Sequence, residues 1–248
     1  MLQGVFANPF QSPFPQVGGA EFSPLDIAGL QLWLDFSDVS TLFQDSAGTT
    51  PVTADGDVIG KALDKSGQGN HASQATTADK PLYKTNIQNG RSIARKDYGD
   101  RLDSSIITSA GNYTVFYTMK ATGIDNAGYI TDIGTSRTIF ALRNSTNNYY
   151  AYYEATSGWN VSSTPPDTTN PHILTYKLES PNLSTIHRNG SNILSGGAYT
   201  QAAWTSGQKI LNNTNACDFY EVLVYTSALS STDRGNVETY LNSKWAVY

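Results

Sequence analysis

Apolar and polar positions alternate along this chain in short stretches, each closed by Gly, Asn, Asp or Pro. A period of two marks a strand with one buried face. The stretch Gly29-Leu-Gln-Leu-Trp-Leu-Asp35 reads as a first strand, and Asp35 to Thr41 then carries the cap and turn residues of a loop or short helical turn. Residues 44–60 are polar and glycine-bearing, which reads as a surface excursion. Further strands are predicted at 113–119, 129–133, 138–143, 149–154, 172–178, 184–188, 209–211 and 219–225. Between two of these stretches, Asn189-Gly190 is a strong hairpin signal, because a type I′ turn needs positive φ at both central residues.

The period changes near the C-terminus. Ser230 or Ser231 can cap a helix that runs to about Lys244, with Asp233 favourable in its first turn and Lys244 in its last. Val237, Tyr240, Leu241 and Trp245 fall on one face of that helix and should pack on the sheets, and Trp33 joins Trp245 in the core. Residues 1–24 break the pattern altogether. They interleave Pro9, Pro13, Pro15 and Pro24 with Phe6, Phe10, Phe14 and Phe22, so an extended arm is expected there. Disordered linkers are usually poor in aromatics. The arm should therefore dock, through Phe6, Phe10 and Phe14, on a neighbouring subunit or back over its own domain, which takes residues 25–248.

Composition sharpens this picture. A chain of 248 residues is long enough to bury one large core, and a charged fraction of only 15% with fifteen Tyr suits strands. The formal net charge is −5 and no Lys/Arg cluster occurs, so nucleic acid is not an expected partner. No stretch approaches the roughly 20 apolar residues of a membrane span. Cys217 is the single cysteine, so no intrachain disulfide can form. The first ten residues lack the basic start and apolar run of a secretory signal, so a protein made in the cytoplasm without a signal peptide, and left there or released by lysis, is expected.

Three segments carry a resemblance: the strand 29–35, the loop Leu63-Asp-Lys-Ser-Gly-Gln-Gly-Asn-His-Ala72, and Glu221-Val-Leu-Val-Tyr-Thr-Ser-Ala-Leu-Ser230 with Tyr240-Leu-Asn-Ser-Lys-Trp245. Together they resemble the opening strand, glycine-rich loop and closing strand and helix of laminin-G-like, concanavalin A-like modules. With 49–57 and 79–83 they are similar to modules of tailed-phage virion proteins. The chain departs from that pattern at Lys96, where the family more often has an aromatic after the Arg.

The resemblance implies an all-β, two-sheet antiparallel jelly-roll sandwich with a short C-terminal helix and an extended N-terminal arm. It implies a non-enzymatic structural protein at the virion surface, decorating the capsid or tail, anchored by its arm to other virion proteins. A homo-oligomer is expected, a trimer suiting virion lattice positions. The alternative is a carbohydrate-binding adhesin for host surface glycans, and a glycan-cleaving enzyme is the third reading. The fold alone gives a scaffold and not a ligand.

The candidate chemistry is sparse. Concanavalin-like glucanases carry carboxylates alternating on one strand, and no Glu-x-Asp-x-Glu array occurs here. Asp218 and Glu221 are three apart, so a regular strand sends them to opposite faces, and Glu221 matches a family position read as structural. No Gly-x-Ser-x-Gly elbow appears. His71 should bond a backbone group in its glycine-rich loop, and His172 and His187 read as packing residues. No cofactor is expected apart from calcium, which suits oxygen ligands from loops, with Asp55, Asp57 and Asp64 as the candidate ligands and Asp45 nearby in sequence. Glycan binding needs aromatic faces beside amides. Tyr150, Tyr152, Trp159, Asn160 and Trp204 are the candidates, with Trp159 and Asn160 placed in a loop and Trp204 in another.

Overall fold

The computed structural model describes residues 21–104, 112–123, 129–133, 138–143, 149–154, 158–165, 167–179, 183–198, 208–211 and 216–248. In chain order the strands are β1 (Leu30–Asp35), β2 (Leu42–Phe43), β3 (Lys61–Ala62), β4 (Ala72–Ser73), β5 (Leu82–Gln88), β6 (Arg91–Lys96), β7 (Leu102–Ser104), β8 (Tyr113–Gly123), β9 (Tyr129–Ile133), β10 (Thr138–Arg143), β11 (Tyr149–Glu154), β12 (Gly158–Val161), β13 (His172–Leu178), β14 (Leu183–Arg188), β15 (Ser191–Ala198), β16 (Gln208–Leu211) and β17 (Ala216–Tyr225), and they are followed by one helix, α1 (Ser231–Trp245). All pairings are antiparallel.

Two sheets form. The eight-stranded sheet runs β15-β14-β13-β8-β17-β6-β5, with β1 also paired to β17, and the nine-stranded sheet runs β12-β11-β10-β9-β16-β7-β4-β3-β2. This is the two-sheet antiparallel sandwich that the resemblance implies. β17 is its spine: all ten of its residues are buried, and it pairs with β8 along one side and with β6 and then β1 along the other.

Two apolar layers hold the fold together. Leu32, Leu34, Leu102, Tyr117, Leu174 and Val222 belong to the layer between the sheets. Trp33, Ile93, Tyr220, Leu223, Leu241 and Trp245 belong to a second layer, under α1 on the outer side of the eight-stranded sheet. Adjacent residues of β17 serve opposite layers, Val222 one and Leu223 the other, as a period of two requires. Full burial of each such side chain contributes about 1.5–3 kcal/mol.

Most local predictions match the observed elements. Ser230 caps α1, its hydroxyl accepting from the Asp233 N–H at 3.1 Å, and Val237, Leu241 and Trp245 are buried beneath it. Asn189 and Gly190 take φ of 51° and 76°, the type I′ signature between β14 and β15. Asn89-Gly90 makes the same turn between β5 and β6, with φ of 49° and 69°. β5 and β6 have no strand prediction behind them, because β5 is an edge strand with few buried positions and β6 carries three cationic residues. The last of these is Lys96, where the family pattern breaks. It is nevertheless a buried strand residue, paired with Cys217, and burial pushes its amine down to about 8.

The arm boundary at residue 24 needs correction. Pro24 is buried, its carbonyl accepts from the Tyr225 hydroxyl at 3.0 Å, and Ser23 closes a capping box with Asp26. Phe22 packs edge-on against Tyr240 at 6.3 Å between ring centroids. Residues 22–24 therefore belong to the folded domain. The docking residues Phe6, Phe10 and Phe14 lie outside the described residues, as does Trp204.

Candidate functional site: an aromatic pair at the edge of the nine-stranded sheet

The tyrosine block 149–154 forms β11, and β12 pairs beside it as the terminal strand of the nine-stranded sheet. Trp159 and Asn160 are therefore strand residues and not loop residues. Their flanking Ser and Gly hide a strand of only four residues. The register sets Tyr152 opposite Asn160 and Tyr153 opposite Trp159. Directly opposed residues share a face, and neighbours along a strand do not.

Those faces can be followed across the sheet from β7. Leu102 and Ser104 are buried toward the other sheet, while Asp103 between them keeps 43% of its side chain exposed. From Asp103 an uninterrupted row of opposed residues runs through Lys209, Asp132, Ile139 and Tyr153 to Trp159. The neighbouring row begins at Ser104 and passes through Gln208 and Ile133 to Thr138. Phe140 and Leu142 share that parity, and they oppose Tyr152 and Tyr150.

The register thus divides the expected glycan-binding set. Tyr150, Tyr152 and Asn160 share the parity of Ser104, and Trp159 shares that of Asp103 with Tyr153 and Tyr149. Alternation within β11 separates the two tyrosine pairs but does not say which faces out, because both faces of the strand are equally rich in tyrosine. Among the described residues the one α-helix packs on the other sheet.

The three carboxylates considered for calcium do not converge. Asp64 is buried and accepts from the backbone N–H groups of Trp33, Ser66 and Asn70, each at 2.9 Å, and from the Ser66 hydroxyl at 2.7 Å. Asp57 accepts from the N–H groups of Thr53 and Ala54, which hold its carboxyl below the usual range. Asp55 is held by the Lys84 ammonium and the Thr85 N–H. Among the described residues no three His, Cys, Asp or Glu side chains stand together as a metal-ligand set. The physical reason is that each loop spends its carboxylate on its own backbone donors.

The opposite-face expectation for Asp218 and Glu221 is also overturned. The β17–β8 register shifts between Phe219 and Glu221, a bulge that inverts the alternation. Asp218 is buried and forms two bonds to the Arg95 guanidinium, at 2.7 and 2.8 Å. Glu221 has no exposed surface, and burial pushes its carboxyl up. It accepts from the indoles of Trp33 (2.6 Å) and Trp245 (2.8 Å), the Tyr240 hydroxyl (2.9 Å) and the Lys244 ammonium (2.8 Å). Both carboxylates thus lie on the helix side of β17, and neither is open to a substrate.

His71 accepts the Asp64 N–H on Nδ1 at 3.0 Å, the backbone role its loop suggests. His172 and His187 are buried, and desolvation lowers each to about 4. Cys217 is fully buried, its thiol pushed up to about 12.

A groove of about 720 Å³ opens beside α1, on the opposite side of the molecule from the Trp159 row. Phe22, Trp33, Arg91, Asn236 and Tyr240 line it. The sequence reading missed it because its walls come from four separate stretches of chain.

No protein-family model matches the chain, and no curated protein matches it in sequence. Solved structures do share its fold. The binding domain of Paraclostridial Mosquitocidal Protein 1 aligns with a TM-score of 0.53 at 13% identity, covering 90% of this chain and 53% of that one. The ligand binding domain of botulinum neurotoxin serotype D in complex with N-acetylneuraminic acid gives a TM-score of 0.56 at 12% identity, covering 86% and 51%. A GH54 α-L-arabinofuranosidase soaked with a cyclic sulfate inhibitor gives 0.53 at 14% identity, covering 73% and 50%. This chain spans about half the length of each. At these identities the likeness is one of fold.

Proposed function

We propose that this protein is a non-catalytic, carbohydrate-binding β-sandwich whose sugar contact is the outer row ending at Tyr153 and Trp159. The observation that carries the reading is the register itself, which sets Trp159 opposite Tyr153 in the row that begins at the partly exposed Asp103. Directly opposed residues of antiparallel strands have Cβ atoms about 5 Å apart, which sets the two aromatic residues side by side. Asp132 and Lys209 continue the row with hydrogen-bonding groups two and three strands further on. Support from outside the chain comes from the serotype D domain, which shares the fold and was solved with N-acetylneuraminic acid.

The test is a glycan array probed with the full chain and with Trp159→Ala and Tyr153→Ala. Binding by the parent that both variants lose supports the site. An array without hits, or variants that bind like the parent, sinks it. Release of reducing ends from a bound polysaccharide would show catalysis and overturn the non-catalytic part.

The virion reading draws on the module resemblance and the phenylalanine-bearing leader. The two readings are compatible, since many displayed copies raise the avidity of a weak sugar site. An electron micrograph of particles labelled for this protein tests the placement.

A further inference from the structure

The groove beside α1 is bordered by polar side chains that the fold leaves unspent. Asn236, Thr239, Tyr240 and Ser243 recur every three or four residues, so they make one stripe of the helix along its wall. Among the described residues the side chains of Asn236, Thr239 and Ser243 make no hydrogen bond, and neither does the carboxylate of Glu21, which also lines the groove. Arg91 commits only its Nε, to the Lys244 carbonyl at 3.0 Å. The acidic loops behave differently, since Asp57 and Asp64 are already bonded by their own backbone donors.

The apolar part of the wall is aromatic. Phe22 and Trp33 each meet Tyr240 edge-on, with ring centroids 6.3 Å apart in both pairs. Phe22 and Tyr240 are half-buried and line the groove. Its volume of about 720 Å³ lies in the range of small-molecule sites, roughly 300–1,000 Å³.

The charged residues select the class of ligand. The Lys244 ammonium is shared between Asp35 and Glu221 at 2.8 Å each, so its charge is met within the fold. Glu21 and Arg91 remain, and their charges cancel. A ligand with a net charge is attracted by one of them and repelled by the other. A neutral polyhydroxylated ligand can use both, because its hydroxyls donate to a carboxylate and accept from a guanidinium. Carboxylate, guanidinium and amide groups each hold two hydrogen-bonding atoms side by side, which suits neighbouring hydroxyls on a sugar ring, and the aromatic wall suits the ring's C–H face.

We propose that the α1 groove is a second carbohydrate site, which takes a neutral oligosaccharide between Glu21 and Arg91 along the Asn236–Ser243 stripe. The proposal rests on the carbohydrate-binding reading above and adds to it a site on the other sheet. One molecule then holds two sugars at once, which raises the avidity of two weak sites for a glycan-covered surface.

Titration of the isotope-labelled full chain, followed by nuclear magnetic resonance, tests this site by site. The probes are cellotriose and maltotriose, with the methyl glycoside of N-acetylneuraminic acid as the charged comparison. The indole N–H of Trp33 and the backbone amide of Ser243 report the groove, and the indole N–H of Trp159 reports the other site. A neutral trisaccharide is expected to shift both groove signals. The double variant Asn236→Ala, Thr239→Met changes two exposed positions of the helix, so the fold should persist. It should lose the groove shifts and leave any response at Trp159 unchanged. Groove signals that respond to neither trisaccharide, that respond equally in the double variant, or that respond more to the charged sugar would overturn the proposal. A response at Trp159 alone sinks the groove and leaves the first site standing, whereas a response in the groove alone does the reverse.

Discussion

Trp245 donates its indole N–H to Glu221 Oε2 over 2.8 Å, joining the last turn of the helix to the central strand of the eight-stranded sheet. Three more donors close on the same carboxylate, so one fully buried anion ties together β1, β17 and α1. Replacing Glu221 with Ala leaves Lys244 with one carboxylate partner, Asp35, and leaves three neutral donors without their acceptor. Loss of about 3–5 kcal/mol of stability is expected, since removing one member of a buried ion pair strands the other. Urea unfolding measures it, and a loss below about 1 kcal/mol would mean that the cluster does not fasten the helix. Glu221→Gln, which keeps an acceptor, should cost less.

Acid should destabilise the fold through His172. Burial lowers its imidazole from 6.5 to about 4, so between those pH values the unfolded chain binds a proton that the folded chain does not. Stability is complete above about pH 6.5 and falls as the pH drops toward 4, by roughly 3 kcal/mol at most. His187 acts in the same direction. Urea midpoints for the parent and His172→Gln between pH 7 and 4 isolate the effect. Parallel curves would refute it.

The face assignment of β11 has a stability readout that is independent of any ligand. Tyr150 shares the parity of the buried Ser104, and Tyr153 that of the partly exposed Asp103. Tyr150→Ala should cost about 3 kcal/mol or more, as large-to-small core changes do, and Tyr153→Ala under about 1 kcal/mol. Thermal melts distinguish the two, and the reverse order would invert the sheet face proposed for sugar binding.

Cys217 should resist thiol reagents in the native state. It is fully buried and its thiol is pushed up to about 12, so almost no thiolate exists at neutral pH. Maleimide labelling should follow the unfolding transition. Fast labelling of native protein would show that the spine strand opens locally.

Calcium should leave the melting temperature unchanged, because Asp64 and Asp57 are already occupied by backbone donors. Asp64→Ala should lower stability by about 1–3 kcal/mol, since it leaves buried N–H groups without an acceptor. A calcium-dependent rise in melting temperature would show a ligand set outside these loops.

Local signals, taken alone, determined a good deal. Period-two alternation marked β1, β8–β11, β13, β14, β16 and β17, and a cap with an apolar face marked α1, because those signals are local; β1, β8, β13 and β17 are also largely buried. Asn89-Gly90 was as legible as Asn189-Gly190, yet the strands beside it carry the charge and exposure of an edge. Only the tertiary structure decided which tyrosines of β11 share a row with Asp103, since that depends on a register passed from strand to strand across the sheet. It also set Asp218 and Glu221 on one side through a bulge that no local pattern announces, and it brought the groove walls together from distant stretches of chain. Alternation fixes the period of a strand, whereas the choice of inner face is made by what packs against it.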